Sequence, residues 1–373
     1  VINTFTSYQL IARDLPKALG RVENQPMVER ETKYYLENIT KVKTIDEFVK
    51  NDRLFRYAMK AHGLEDMAYA KAFMVKALKE GVSNPESFAN KLTDKRYAEF
   101  VKSFNFAAHG ELATVYSKAQ QGAVTNYQAQ AAIAGVDPTS AVVQAEVTYY
   151  LANIVKVKSI DDLMSNDRLV RFALAGFGLN DIEENKDLAR AVLEGGIRDP
   201  ESLANTMTDK TFVAFASMYN FEELGEETTT YILAQRPAVD KFMRQTLEEN
   251  AGNSNEGVRL ALYFERKAQT LTSFYEILAD PALARVVRTA LSLPDSFASA
   301  DIDKQVQLFE SKLNIEDFSD PKALGKFLTR FTSLWEIGNP SSPAQTSVSV
   351  LFSQPVEYGI STNTLFAIQA MKR

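Results

Sequence analysis

Residues 31–111 align without a gap onto residues 146–226, every position displaced by 115. About 36 of the 81 aligned positions are identical, which marks a duplication. A third, diverged copy starts near Leu262-Tyr263-Phe264 and keeps an offset of 114 from the second through Leu293. It regains register at Gly325-Lys326-Phe327-Leu328-Thr329-Arg330-Phe331, which mirrors Ala98-Glu99-Phe100-Val101-Lys102-Ser103-Phe104. One local plan must therefore fold three times. At about 80 residues each copy can hold its own core, whereas solenoid repeats run to roughly 20–45 residues. Side-by-side helical subdomains fit this better than a solenoid.

The copies reveal the plan through what they preserve. Thr44 with Glu47, Ser159 with Asp162 and Ser273 with Glu276 are three versions of one capping box: a hydroxyl for an orphan amide, and an acid reaching back. Asn51-Asp52-Arg53-Leu54 returns as Asn166-Asp167-Arg168-Leu169 and as Asp280-Pro281-Ala282-Leu283. The first residue reads as an N-cap, and proline at the next position fits the first helical turn. Gly63 and Gly178 read as left-handed C′ residues. Asn84-Pro85-Glu86 and Asp199-Pro200-Glu201 open a later helix, and Thr93-Asp94 and Thr208-Asp209 the last one. The spacing predicts helices near 30–42, 45–50, 52–62, 66–80, 86–91 and 94–104 in the first copy, with Leu54, Tyr57, Ala58, Phe100, Val101 and Phe104 on core faces. The fold class is all-α.

The predicted organisation is an N-terminal helical segment (1–30), repeat 1 (31–111), a spacer (112–145), repeat 2 (146–226), a spacer (227–261), repeat 3 (262–338) and a tail (339–373). Gly252-Asn253-Ser254-Asn255-Glu256-Gly257 reads as a loop. Phe5, Tyr8, Leu15, Leu19 and Val22 form a helical stripe that the first copy does not need, so it covers a neighbouring repeat or a partner. In the tail, 347–352 alternates like a brief strand, and a short end helix carries Leu365, Ile368 and Met371.

Chemistry is scarce. There is no cysteine, so disulfides, thiolate metal sites and cysteine nucleophiles are excluded. Of the two histidines, His62 and His109, the aligned residues are Phe177 and Leu224, which favours filler over ligand. Most acid pairs sit at helix starts, where the macrodipole accounts for them. A net charge of −6 gives no case for nucleic acid. No apolar run is long enough to span a membrane, and the first residues lack the pattern of a secretory signal. No cofactor, metal or catalytic residue is expected. Arg56, Arg171 and Arg285 are the one charged side chain kept in all three copies. Each either packs its stem on the bundle and pairs locally, or belongs to a repeated dock for an acidic partner.

Thr4-Phe5-Thr6-Ser7-Tyr8, the Tyr-Tyr-Leu-x-Asn-Ile line, the Asn-Asp-Arg-Leu block and Phe274-Tyr275-Glu276-Ile277-Leu278 resemble a bacterial family called domain of unknown function 1217. Its members often carry more than one copy, and their genes tend to lie among flagellar genes of alphaproteobacteria. The resemblance implies a non-enzymatic structural, assembly or export-associated flagellar protein. It would be made in the cytoplasm, exported without a signal peptide, and act on flagellar proteins or on itself. A cytosolic chaperone or regulator of export substrates is the alternative. An enzyme would need carboxylates that converge only in three dimensions. The family brings no catalytic residues to carry over.

Overall fold

The computed structural model describes residues 3–339, and all regular structure among them is helical. The helix starts that recur in all three copies are set by a short polar side chain. Thr44 accepts from the Glu47 amide at 3.2 Å while the Glu47 carboxylate accepts from the amides of Lys43 and Thr44. In the second and third copies the acid reaches back to the residue equivalent to Lys43, accepting from the amides of Lys158 and Thr272. Asn51, Asn166 and Asp280 cap Asp52–Ala61, Asp167–Ala175 and Pro281–Ala290 as expected, each accepting from the amide three residues on. One such cap contributes about 1 kcal/mol.

The preserved tyrosine pair follows from these caps. The first tyrosine holds the cap residue: Tyr34 is hydrogen-bonded to Asn51, Tyr149 to Asn166, and the Tyr263 hydroxyl donates to Asp280 at 2.5 Å. The second points inward and is fully buried as Tyr35 and Tyr150, or Phe264 in the third copy. Around it in the first copy, Phe48, Phe55, Phe100 and Phe104 are solvent-free, with Phe48 and Phe104 centroids 4.8 Å apart.

Helix ends also repeat. Gly63 and Gly178 have φ of 67° and 76°. The amide after each glycine returns to the carbonyl five residues back, Leu64 to Met59 and Leu179 to Leu174, a Schellman closure. The third copy makes the same closure, Leu293 to Arg288, but through Ser292 at φ 56°. A side chain costs about 1–2 kcal/mol in that region, part of which glycine returns as unfolded-state entropy. Ser292→Gly is therefore expected to raise stability by about 0.5–1 kcal/mol, and urea unfolding that shows no gain contradicts this.

Two expectations fail locally. Residues 252–257 are not a loop: helix Arg236–Ser254 runs through Gly252, and the next helix, Glu256–Ala268, starts almost at once. Asn255 alone makes the break, at φ −158°, and its side chain caps Gly257 and Val258. Asn84 opens no helix. Its carboxamide accepts from Glu86 two residues on, a turn, and the helix waits until Phe88–Lys91; Asp199 does the same with Glu201, and that helix waits until Leu203–Thr206.

The described chain divides into two compact units. One is Glu29–Phe242, holding bodies 1 and 2; the other holds the chain up to Val28 and from Met243, and contains body 3. Body 2 is centred on Tyr150, Leu163, Leu174, Phe215 and Tyr219, and body 3 on Leu262, Phe264, Phe309, Leu328 and Phe331. The strand-like stretch 347–352 and the end helix with Leu365, Ile368 and Met371 lie outside the described residues.

Candidate functional site

No body closes on its own residues. Each receives a helix from outside its copy, and in bodies 1 and 2 the entry point is the second tyrosine. In body 2, the Tyr150 hydroxyl donates to the Ala119 carbonyl at 2.6 Å, and Tyr127 of helix Ala123–Ile133 stacks on Phe172 at 4.0 Å. In body 1, Tyr35 donates to the Ala234 carbonyl at 2.6 Å, and Phe242 of helix Arg236–Ser254 stacks on Tyr57 at 3.8 Å. Every one of these numbers differs by 115 between the two sites. The site adapts in detail: the Tyr57 hydroxyl lies 2.9 Å from Thr32, and both polar groups become apolar in body 2, as Phe172 and Val147.

The donors are not symmetric in sequence. Residues 118–133 precede body 2 and serve it. Residues 236–242 follow body 2 and serve body 1. Reciprocal bonds tie the first unit: Gln120 donates to the Thr229 carbonyl at 2.7 Å, and Gln235 to the Thr114 carbonyl at 3.0 Å. Exchange of i with i+115 on both sides is the signature of a local two-fold, an isologous pairing inside one chain.

Body 3 is completed by helix Thr4–Ala12, which lies against Glu256–Ala268 and Pro321–Gly338. Tyr8 is 3% exposed within that core. Its hydroxyl donates to Glu265, and burial pushes its ionisation well above the usual tyrosine range, with Glu265 adding to the effect. Glu336 accepts from the Thr4 amide at 2.9 Å and from the Thr4 hydroxyl, and Asn255 donates to the same hydroxyl at 2.9 Å. The stripe Phe5, Tyr8, Leu15, Leu19 and Val22 is thus partly spent inside the unit. Tyr8 and Val22 are buried, and Phe5, Leu15 and Leu19 are half-buried.

Two of the three retained arginines face the equivalent acid, and the third faces an aromatic ring. Arg56 pairs with Asp52 one turn away at 2.8 Å. Arg171 is exposed and adds positive potential at Asp167. Arg285 lies 4.6 Å over the ring of Trp335. The arginines with two-pronged partners are those the third copy drops: Arg53 forks onto Glu31 and Arg168 onto Glu146, each 3.8 Å over Tyr34 or Tyr149. His62 is buried, with ring nitrogens 2.9 Å from the Ala58 carbonyl and 3.0 Å from Ser103. His109 stacks on Tyr116, and burial lowers its pKa.

Beside the docked N-terminal helix lies a groove of about 240 Å³. Leu10, Ile11, Val22, Leu247 and Val258 line it, with Arg13, Lys17 and Arg21 among its polar residues. Deeper in the same unit, Glu248 is 3% exposed in its side chain and takes Arg244 at 2.9 Å and Arg266 at 2.7 Å. Glu265 lies near them, and burial raises its carboxyl pKa. The folded state therefore holds that proton more tightly, and stability falls as pH rises from the ordinary glutamate range through the raised value. Glu265→Gln keeps an acceptor for Tyr8 and removes the charge. Its unfolding free energy, followed by urea at stepped pH, is expected to fall less over that window. An unchanged slope contradicts the assignment. Among the described residues no group of three or more His, Asp or Glu is placed to hold a metal.

A family model described as "Protein of unknown function (DUF1217)" matches residues 61–176 and again 175–324. The chain belongs to that family. The DUF1217 match starts at the end of helix Asp52–Ala61 and closes at the equivalent point one copy later, so each match runs through the middle of a body. Among solved structures, an X-ray structure of protein AGR_C_984 from Agrobacterium tumefaciens is 36% identical, covering 90% of this chain and 94% of that one, with a TM-score of 0.54. No curated protein matches.

The docking residues of this DUF1217 chain were only half visible in sequence. Tyr35 and Tyr150 stand in the preserved line. Tyr127 and Phe242 lie in the spacers, outside the aligned block. The signal that finds them is the continuation of the 115-residue offset through Ala119-Gln120 and Ala234-Gln235, together with Thr6-Ser7-Tyr8-Gln9 echoing Thr125-Asn126-Tyr127-Gln128.

Proposed function

We propose that this DUF1217 protein is a non-catalytic structural, assembly or export-associated component of the bacterial flagellum that works through protein–protein contact. The observation that carries the contact part is the docking of Thr4–Ala12 into body 3, a body that begins more than two hundred residues later. A helix presenting an aromatic key to a groove is a common mode of protein recognition, and this chain uses it three times. The flagellar part rests on the family resemblance alone. Deleting the gene in a motile strain is expected to reduce swimming and to alter filaments or basal bodies seen by electron microscopy. A deletion strain with normal flagella and parental swimming contradicts the reading. Recovery of the protein in sheared filaments or basal-body preparations supports a structural part over a chaperone of export substrates.

A further inference from the structure

Two of the three donated helices serve a body other than the one that follows them. Helix Thr4–Ala12 leads directly, through Leu15–Glu23, into body 1, yet it fills body 3. Helix Arg236–Ser254 leads into body 3, yet its first half fills body 1. The donors share a pattern, Thr6-Ser7-Tyr8-Gln9 beside Thr125-Asn126-Tyr127-Gln128, and Tyr8 and Tyr127 each pack against the core of the body they serve. The polar grip on helix Thr4–Ala12 is made by side chains of body 3: Glu265 on Tyr8, Glu336 on the amide and hydroxyl of Thr4, and Asn255 on the Thr4 hydroxyl. None of these contacts distinguishes the chain's own body 3 from that of another copy. When identical grooves and identical keys exist on every molecule, exchange between molecules costs little beyond releasing the helix.

We propose that helix Thr4–Ala12 of one copy docks into body 3 of a second copy, so that this protein joins to itself by helix donation. The occupant is a second copy of this chain, seated by the aromatic key and polar contacts that seat the helix internally. The proposal rests on the protein-contact reading above and makes the partner explicit.

The chain has no cysteine, so single thiols report contacts cleanly. Thr6 and Ile337 are exposed and lie two and one residues from the Thr4–Glu336 contact. Full-length chains carrying Thr6→Cys, in a tagged copy, and Ile337→Cys, in an untagged copy, are mixed at high concentration, incubated and treated with a flexible bis-maleimide. The expected product is a covalent pair of one tagged and one untagged chain, above what either parent forms alone. Adding Tyr8→Ala to the tagged copy is expected to remove it. The double variant Thr6→Cys/Ile337→Cys, kept dilute, is expected to link within one chain, which proves the reach of the reagent. Internal linkage in the double variant with no mixed pair overturns exchange. Failure of the double variant to link overturns it too, because the helix would not lie on body 3. The assay contains no flagellar component, so a negative result leaves the flagellar reading standing, and normal motility of a deletion strain leaves exchange standing.

Discussion

Phe242→Ala is expected to destabilise the protein by about 3–5 kcal/mol, the cost of truncating a buried phenylalanine. Phe242 is 6% exposed and its ring lies flat on Tyr57 at 3.8 Å, while Tyr57 in turn stacks on Tyr35 at 4.3 Å. Removing the ring opens one side of that stack and loosens the Tyr35 bond to the Ala234 carbonyl. The matching change in body 2, Tyr127→Ala, is expected to cost less, because Tyr127 is only half-buried. Equilibrium unfolding in urea checks both. Equal costs, or a cost for Phe242→Ala under about 1 kcal/mol, contradict the view that body 1 depends on this helix.

Tyr8→Ala is expected to cost a similar amount, about 3–5 kcal/mol, through a different chain of contacts. Tyr8 is 3% exposed among Leu260, Leu262, Phe264 and Trp335, and its hydroxyl satisfies Glu265. The substitution leaves a cavity and takes from the partly buried Glu265 carboxylate its hydroxyl donor, leaving the attraction to Arg244. Tyr8→Phe separates the two terms. It keeps the ring and is expected to cost about 1–3 kcal/mol, the penalty for an unsatisfied partly buried acceptor. Thermal unfolding of the two variants side by side gives the split, and a phenylalanine variant as damaged as the alanine one shows that the hydroxyl, not the ring, carries the contact.

The local fold was legible because caps are local. Asn51, Asn166 and Asp280 each hold an amide within three residues, and comparing three copies separates what the cap needs from what varies around it. The left-handed C′ residues were legible for the same reason where glycine supplied them, and invisible at Ser292, where a side chain bears the strain. Asn84 misled because an asparagine side chain serves a turn as well as a helix start. Docking was not legible by this route. Tyr35 and Ala234 are 199 residues apart, and no periodicity or propensity relates them. Arg56, Arg171 and Arg285 illustrate the converse: a residue kept at one place in three copies faces the equivalent acid in two of them, Asp52 and Asp167, and the Trp335 ring in the third.

Helix Thr4–Ala12 completes body 3, across more than two hundred residues of chain. Amide hydrogen exchange on the full-length Tyr8→Ala chain tests it directly. The predicted result is loss of protection in Thr4–Ala12 together with Glu256–Ala268 and Pro321–Gly338, with Pro26–Ile39 and Asp52–Ala61 of body 1 unchanged. Loss of protection in body 1, which the helix directly precedes, with body 3 left intact, would contradict it.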